Sequence, residues 1–410
     1  MTDATAIARA PRFWGYLLYG GLLAMAGLPI YVHAPYFYVE QYGVALATLG
    51  TVLFVLRGFD FIQDPALGWL AARLGARRGQ ATALAVIALA GSMVMLFAVP
   101  PMFWPLAWFA IAITVLFTAY SFLTICFYAT GAARGATLGQ GGHVRLAAWR
   151  ESGALAGVCI AAAAPVALEK LMPAPFTGFA LGFVIVALAA AWAMRAEWPR
   201  FTPDLTAVGP TVREVLADPT ARRLLTIALV NATPVAITST LFLFYAESEG
   251  PLLILLFLAA AASAPVWAQV AKRLGAKTAL LVGMALAMAS FAFVLTLGPG
   301  DVTAFAVICI VSGAGMGADL TLLPAIFSRR MADLSPEAAQ GFGLWAFVTK
   351  ATLALAALIV FPTLDMAGFA QGTDNSDTAL TTLVLLYAAL PTALKAGAFV
   401  LLALTPLKED

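Results

Sequence analysis

The sequence predicts an all-α membrane protein whose twelve transmembrane helices form two pseudo-symmetric six-helix bundles. Three observations lead there: the composition, a series of long apolar segments, and a short motif that returns after 200 residues. Of 410 residues, 62% are hydrophobic and only 11% charged, and mean hydropathy is +0.93. Average soluble chains are about half apolar and about a quarter charged. So few charges could not cover the exterior of a soluble fold of this size.

A bilayer core takes about 20 apolar residues per helix. Segments of that order run over 13–37, 44–72, 79–99, 103–131, 144–168 and 175–195. A more polar stretch follows, and then come 222–246, 251–271, 278–298, 302–330, 340–363 and 378–404. Their interiors are rich in Ala, Leu, Gly and Val without alternation of polar residues. That fits helices, which satisfy their own backbone in lipid, and not the short alternating strands of a membrane barrel. The apolar stretch after Arg12 continues to about residue 37 without a cleavage site, so it reads as the first span and not as a cleaved signal. The chain thus divides into an N-terminal bundle, 1–195, a linker, 196–221, and a C-terminal bundle, 222–410.

Basic residues orient the spans. Arg73, Arg77 and Arg78 follow the second span, and Arg134 and Arg145 flank the fourth-to-fifth loop. Lys272, Arg273 and Lys277 follow the eighth, Arg329 and Arg330 end the tenth, and Arg195, Arg213, Arg222 and Arg223 surround the linker. By the positive-inside rule these loops, the linker and both termini are cytoplasmic. The repeat agrees with two halves: ARLGAR at 72–77 returns as KRLGAK at 272–277, each between the second and third spans of its half. Two such halves are the usual architecture of major-facilitator transporters.

Composition excludes several functions. The formal net charge is +2 with no concentrated basic stripe, which argues against nucleic-acid binding. Cys126, Cys159 and Cys309 stand singly in apolar segments, and two histidines are too few for an imidazole metal centre. GAGMGAD at 313–319 has no strand or soluble turn around it, so its glycines read as close helix packing and not as a nucleotide loop. With no nucleophile–base–acid spacing, the expectation is a protein that is not an enzyme and carries no cofactor.

Ionisable residues at hydrocarbon depth are costly and mark function. Asp60 and Asp64 lie four apart on the second span and share a helix face with Arg57, while Gln63 adds a side-chain oxygen. Such a face holds Na⁺ or a proton; alternatively, Arg57 and Lys350 neutralise the aspartates and lock helices together. Asp64 also begins DPALGWLAARLGARR, which resembles the short inside-loop motif of major-facilitator carriers; the resemblance implies that Asp64 and Arg73 hold a cytoplasmic gate, and leaves Asp64 open as gate or ion ligand. Asp319 on the tenth span and Lys350 on the eleventh are coupling candidates. On the fourth span Tyr120, Ser121, Thr124 and Tyr128 form a polar, aromatic stripe fit for stacking on a sugar or for packing between helices. Trp149 and Arg150 on the fifth are further substrate candidates.

These residues are similar to those of the glycoside–pentoside–hexuronide:cation symporters, the melibiose-carrier family. The resemblance spans nearly the whole membrane region and is strongest in RGFDFIQDPALGWLAARLGARRG at 57–79 and GMGADLTLLPAIFSRRMADLSPEAAQGFGLWAFVTK at 315–350. It implies a cation site at Asp60, Asp64, Gln63 and Ser121, with Arg57 matching and Lys350 pairing with the carboxylates. It further implies that Arg150 binds sugar or gates, and that Tyr128 replaces a sugar-stacking tryptophan. Two departures matter. Ala24 and Thr124 stand where the melibiose carrier has the aspartates that clamp galactoside hydroxyls, so the galactoside half of the site is missing.

The expected function is therefore cation-coupled symport of a sugar, glycoside or related small organic solute by alternating access, with Na⁺ or H⁺ as coupling ion. The expected setting is a functional monomer surrounded by lipid in a bacterial inner membrane. Two other readings remain: a lysolipid or other amphiphile transporter, and a non-transporting sensor or assembly factor on a carrier fold.

Overall fold

The computed structural model describes residues 13–139, 141–198, 211–245, 250–297, 301–334, 339–369 and 375–407. Among them the regular structure is helical. In the first half lie α1 (Phe13–Met25), α2 (Leu28–Tyr42), α3 (Leu46–Leu74), α4 (Arg78–Phe97), α5 (Pro105–Ala136), α6 (Gly142–Glu169) and α7 (Pro175–Met194). The short α8 (Val212–Ala217) precedes α9 (Pro219–Tyr245), α10 (Gly250–Leu274), α11 (Ala276–Ala292), α12 (Val302–Leu334) and α13 (Ala339–Met366). The chain ends with α14 (Asp377–Val384) and α15 (Leu390–Ala403), joined by a π-helical turn, Leu385–Ala389.

Among the described residues nine segments are long and apolar enough to cross a membrane. Leu84, Ile87, Ile185, Leu188 and Leu358 stand exposed on their exteriors, as lipid requires. This is a multi-pass, all-α membrane protein. The sequence counts twelve spans, and the difference has local causes. Segment Ile62–Phe97 joins the C-terminal part of α3 to α4 through a short 3₁₀ turn at Gly75–Arg77. The expected unbroken first span, 13–37, is instead divided: α1 stops at Met25 and α2 starts at Leu28. Gly27 is non-helical, at φ −89° and ψ −119°, and Pro29 occupies the first turn of α2. Proline lacks an N–H and is tolerated there but not in a helix interior. The π turn lies inside the last span, Asp377–Ala403, which crosses it whole, and α9 is not among the nine segments.

Both copies of the repeat end a helix in one way. Gly75 follows α3 with φ +47° and Gly275 follows α10 with φ +82°. A side chain at either position would strain the backbone, so glycine stops the helix and lets the chain turn. The basic residues after these turns are helix-end caps. Arg78 donates from Nε and Nη2 to the Ala71 carbonyl of α3, at 3.1 and 2.8 Å. Lys277 donates to the carbonyls of Ala403 and Thr405 at the end of α15, at 3.0 and 2.9 Å. Positive charge at a helix C-terminus opposes the negative end of the dipole.

Helices α1, α6 and α7 pack together, as do α3, α4 and α5; α10 and α11 pack on α12, and α9 on α13 and α15. The two sets meet where α3 and α5 touch α13, α6 touches α10, and α12 runs against α5 and α6. Small residues set these approaches. A Cβ on Gly153 of α6 would lie 1.9 Å from the Leu17 carbonyl oxygen of α1. In GAGMGAD, Gly313 and Gly317 give α10 its approach and Gly315 gives α11 its approach, as the sequence suggested. Across the sets, Gly343 of α13 lies against Gly68 and the Asp64 carbonyl of α3.

The basic turn at 272–277 and Arg329 and Arg330 of α12 line a cavity of about 700 Å³. There Asp218, between α8 and α9, accepts from Arg330 of α12 through both carboxylate oxygens. It also takes the Ala221 N–H at 2.7 Å. Within the expected linker, Thr211 and Glu214 form a capping box on α8. The guanidinium of Arg330 holds the Asp218 carboxyl below its ordinary value, against the smaller opposing effect of burial.

Two predictions follow from packing and charge. Gly153→Leu forces α1 and α6 apart and should lower the unfolding temperature of the detergent-purified protein by several degrees, overpacking costing about 1–3 kcal/mol or more. Gly58→Ala, where a Cβ meets nothing within 4 Å, should leave it unchanged or slightly raised. For Asp218, the depressed carboxyl means the contact stabilises fully above the unfolded-state value near 3.8 and less as pH falls through the lower folded value. Asp218→Asn should therefore destabilise at pH 7, and the difference from wild type should shrink only below about pH 4.

Candidate cation and substrate site

Where α3, α5 and α13 converge, three helices are tied by one ammonium. Lys350 donates from Nζ to Asp64 Oδ1 at 3.0 Å and to Ser121 Oγ at 2.7 Å. Asp64 Oδ2 is also 3.0 Å away, and the carboxylate is fully buried. Four-residue spacing would place Asp60 one turn from Asp64, but the side chains of Arg57 and Asp60 lie outside the described residues. Gln63 is buried, and its Oε1 accepts from Thr118 Oγ1 at 2.9 Å. Sequence reasoning passed over Thr118, which lies a turn before Ser121 on α5 and differs little from the many other hydroxyls there.

Two helical turns along α5, from Ser121 to Tyr128, a second cluster forms against α6. The Arg150 guanidinium covers the Tyr128 ring at 3.7 Å. Glu151 accepts from Arg150 Nε at 2.7 Å and from the Tyr128 hydroxyl at 3.0 Å. Tyr128 in turn packs its ring against Phe342 of α13, with centroids 5.7 Å apart. Arg150 is 3% exposed, so its charge is stable there because Glu151 and the ring face offset it. Its Nη2 is buried with no hydrogen-bond partner among the described residues, as is the Thr124 hydroxyl. Tyr120 is half-buried, with its hydroxyl toward Gly27 at the α1–α2 break. These groups supply a flat aromatic face, unused donors and a hydroxyl next to the lysine–carboxylate contact.

Three other sequence candidates stand apart from this convergence. Trp149 is 43% exposed and stacks on Phe13, with centroids 6.0 Å apart; successive residues on a helix point about 100° apart, so it turns away as Arg150 turns in. Arg73 is exposed and lies over Trp69 at 4.0 Å. The buried arginine of that turn is Arg78, described above. Asp319 is buried in the second half, where it pairs with Lys395 of α15 and not with Lys350. Lys395 was visible in the sequence as an intramembrane charge, but nothing in spacing links residues 76 positions apart.

Residues 15–409 match the family model described as MFS/sugar transport protein. The chain belongs to that family, and its fold is that of major-facilitator transporters. It resembles a bacterial homologue of the iron transporter ferroportin in the outward-facing state, at 16% identity and TM-score 0.69, covering 95% of this chain and 98% of that one. It also resembles the E. coli fucose:proton symporter FucP, at 14% identity and TM-score 0.65, covering 97% and 98%. No curated protein matches the chain by sequence. The family is one of transport proteins; among the described residues no group of three or more His, Cys, Asp and Glu could hold a metal ion.

Removing Glu151 exposes how the second cluster is balanced. Glu151→Ala leaves Arg150 buried and uncompensated and should cost about 3–5 kcal/mol. Thermal unfolding should show a large fall for that variant. The double variant Arg150→Gln with Glu151→Gln should recover much of it, and equal losses in both would refute the charge balance.

Proposed function

We propose that the protein is a cation-coupled secondary symporter for a sugar, glycoside or related small organic solute, working by alternating access. Twelve spans form two six-helix halves, 1–195 and 222–410, joined by a cytoplasmic linker at 196–221. The observation that carries this reading is Lys350 bridging Asp64 and Ser121, because it joins helices of both halves through a contact that a cation can replace. Na⁺ or H⁺ binds among Asp60, Asp64, Gln63 and Ser121 and neutralises the carboxylates. Lys350 is then released, and the contact between α3 and α13 loses its ionic component. Solute binds against Tyr128, Thr124, Tyr120 and Arg150, and the halves rock about the site.

This arrangement agrees with the resemblance to the melibiose-carrier family in its cation half. Ala24 and Thr124 speak against a galactoside clamp and for a solute with fewer demands on carboxylate acceptors. The protein acts as a monomer in a bacterial inner membrane, with both termini cytoplasmic.

In proteoliposomes, Asp64→Asn should abolish uptake driven by a Na⁺ or proton gradient while leaving solute exchange across equal concentrations measurable. A panel of pentoses, hexoses and glycosides supplies the solutes, with a lysophospholipid as the amphiphile arm. Gradient-driven sugar uptake untouched by Asp64→Asn would end the coupling assignment. Transport of the lysophospholipid alone would move the function to an amphiphile carrier.

A further inference from the structure

A separate, half-open cavity of about 80 Å³ lies in the second half, between α9, α10, α11, α12 and α15. Its walls are mainly apolar, yet Asp319 and Lys395 both face it. Asp319 is 7% exposed. One carboxylate oxygen takes the Lys395 ammonium; the other, Oδ1, is buried with no hydrogen-bond partner among the described residues. Ser239 also lines the space, as do three further hydroxyl residues, Thr238, Ser312 and Thr392. Each of these three spends its proton on its own helix, donating to the carbonyls of Val235, Ile308 and Ala388, at 3.2, 2.6 and 2.7 Å. A hydroxyl that has donated retains its acceptor lone pairs. The polar part of this wall therefore has acceptor oxygens to offer, and the Lys395 ammonium is already engaged.

Volume decides what such a wall can take. At about 10–15 Å³ of such space per water, the cavity has room for several waters, or for a small ion with some of them. Hard cations prefer several oxygen ligands, at least one of them anionic. The backbone is irregular here as well. Tyr387 of the π-helical turn lines the cavity, and the Ala388 carbonyl of that turn receives Thr392; π turns occur frequently at functional sites.

We infer that this cavity is a second monovalent-cation site, in which Na⁺ binds Asp319 and the hydroxyl oxygens of Thr238 and Thr392. The Lys395 ammonium is its tethered competitor. Four flexible carbons carry that ammonium, so it can leave Asp319 without movement of α15. The site lies wholly in the second half and does not depend on the Asp64 assignment. Among the residues lining it, Tyr387 is the other titratable group.

The test uses the full chain with the first site removed as a neutral pair, Asp64→Asn together with Lys350→Gln. Thermal unfolding is followed against Na⁺, with choline holding ionic strength constant. Specific binding should give a saturable rise of about 1–3 °C. Adding Lys395→Met should lower the Na⁺ midpoint at least tenfold, because the competitor is gone; a purely structural pair would give only a less stable protein. Adding Asp319→Asn with Lys395→Met should abolish the rise. No saturable rise in the background, or one that survives this last change, overturns the site. If the background does not fold, radioactive Na⁺ bound per chain is compared between wild type and the Asp319→Asn, Lys395→Met protein. Loss of one ion per chain is expected, and unchanged stoichiometry overturns the inference.

Discussion

An ammonium at hydrocarbon depth needs a partner, and that requirement organises the centre of this molecule. Lys350 meets it with Asp64 and Ser121, which stand on two helices of the opposite half. The contact is possible because α3 and α13 approach closely through Gly68 and Gly343, one turn from Asp64 along α3. A large side chain at either glycine would separate the helices and strand a charge in the membrane. Packing and electrostatics thus act on one locus, and the cost of an unpaired charge there is several kcal/mol on any scale.

The same economy recurs at other depths. Arg150 is balanced by Glu151 and the Tyr128 ring, and Asp319 by Lys395. Arg134 also lies 3.4 Å from Glu197, and Asp218 holds Arg330. The pairs differ in what they join. Asp319 with Lys395 stays within one half, whereas Lys350 with Asp64 crosses between halves. Only a contact of the second kind can change the relation of the two halves when an ion replaces it, which is why the coupling role is assigned there.

Much of this was legible in the sequence. Apolar length marked most helices, and the repeat at 72–77 and 272–277 marked two turns that share a left-handed glycine. Four-residue spacing and the intramembrane lysine marked the central contact before any coordinates. What escaped depends on contacts that spacing cannot carry. Gly27 and Pro29 break the first span although its apolar character runs on uninterrupted. Trp149 and Arg150 are neighbours in sequence but turn to different faces. Arg73 and Arg78 are equally basic, yet only Arg78 reaches the carbonyl at the end of α3. Lys395 finds Asp319 through tertiary packing alone, so a charge visible in the sequence gained its meaning from the fold.

The central claim is that Lys350 and the coupling cation compete for Asp64. Its most direct measurement is cation binding to purified Lys350→Gln protein, titrated beside wild type with Na⁺ at fixed pH and with protons at fixed Na⁺. Removal of the tethered ammonium should tighten binding of the coupling ion, moving its midpoint to lower concentration by about tenfold or more, a difference of about 1.4 kcal/mol. A midpoint that stays where it was, or moves to higher concentration in a folded variant, would contradict the competition and leave Lys350 a structural tie between the halves.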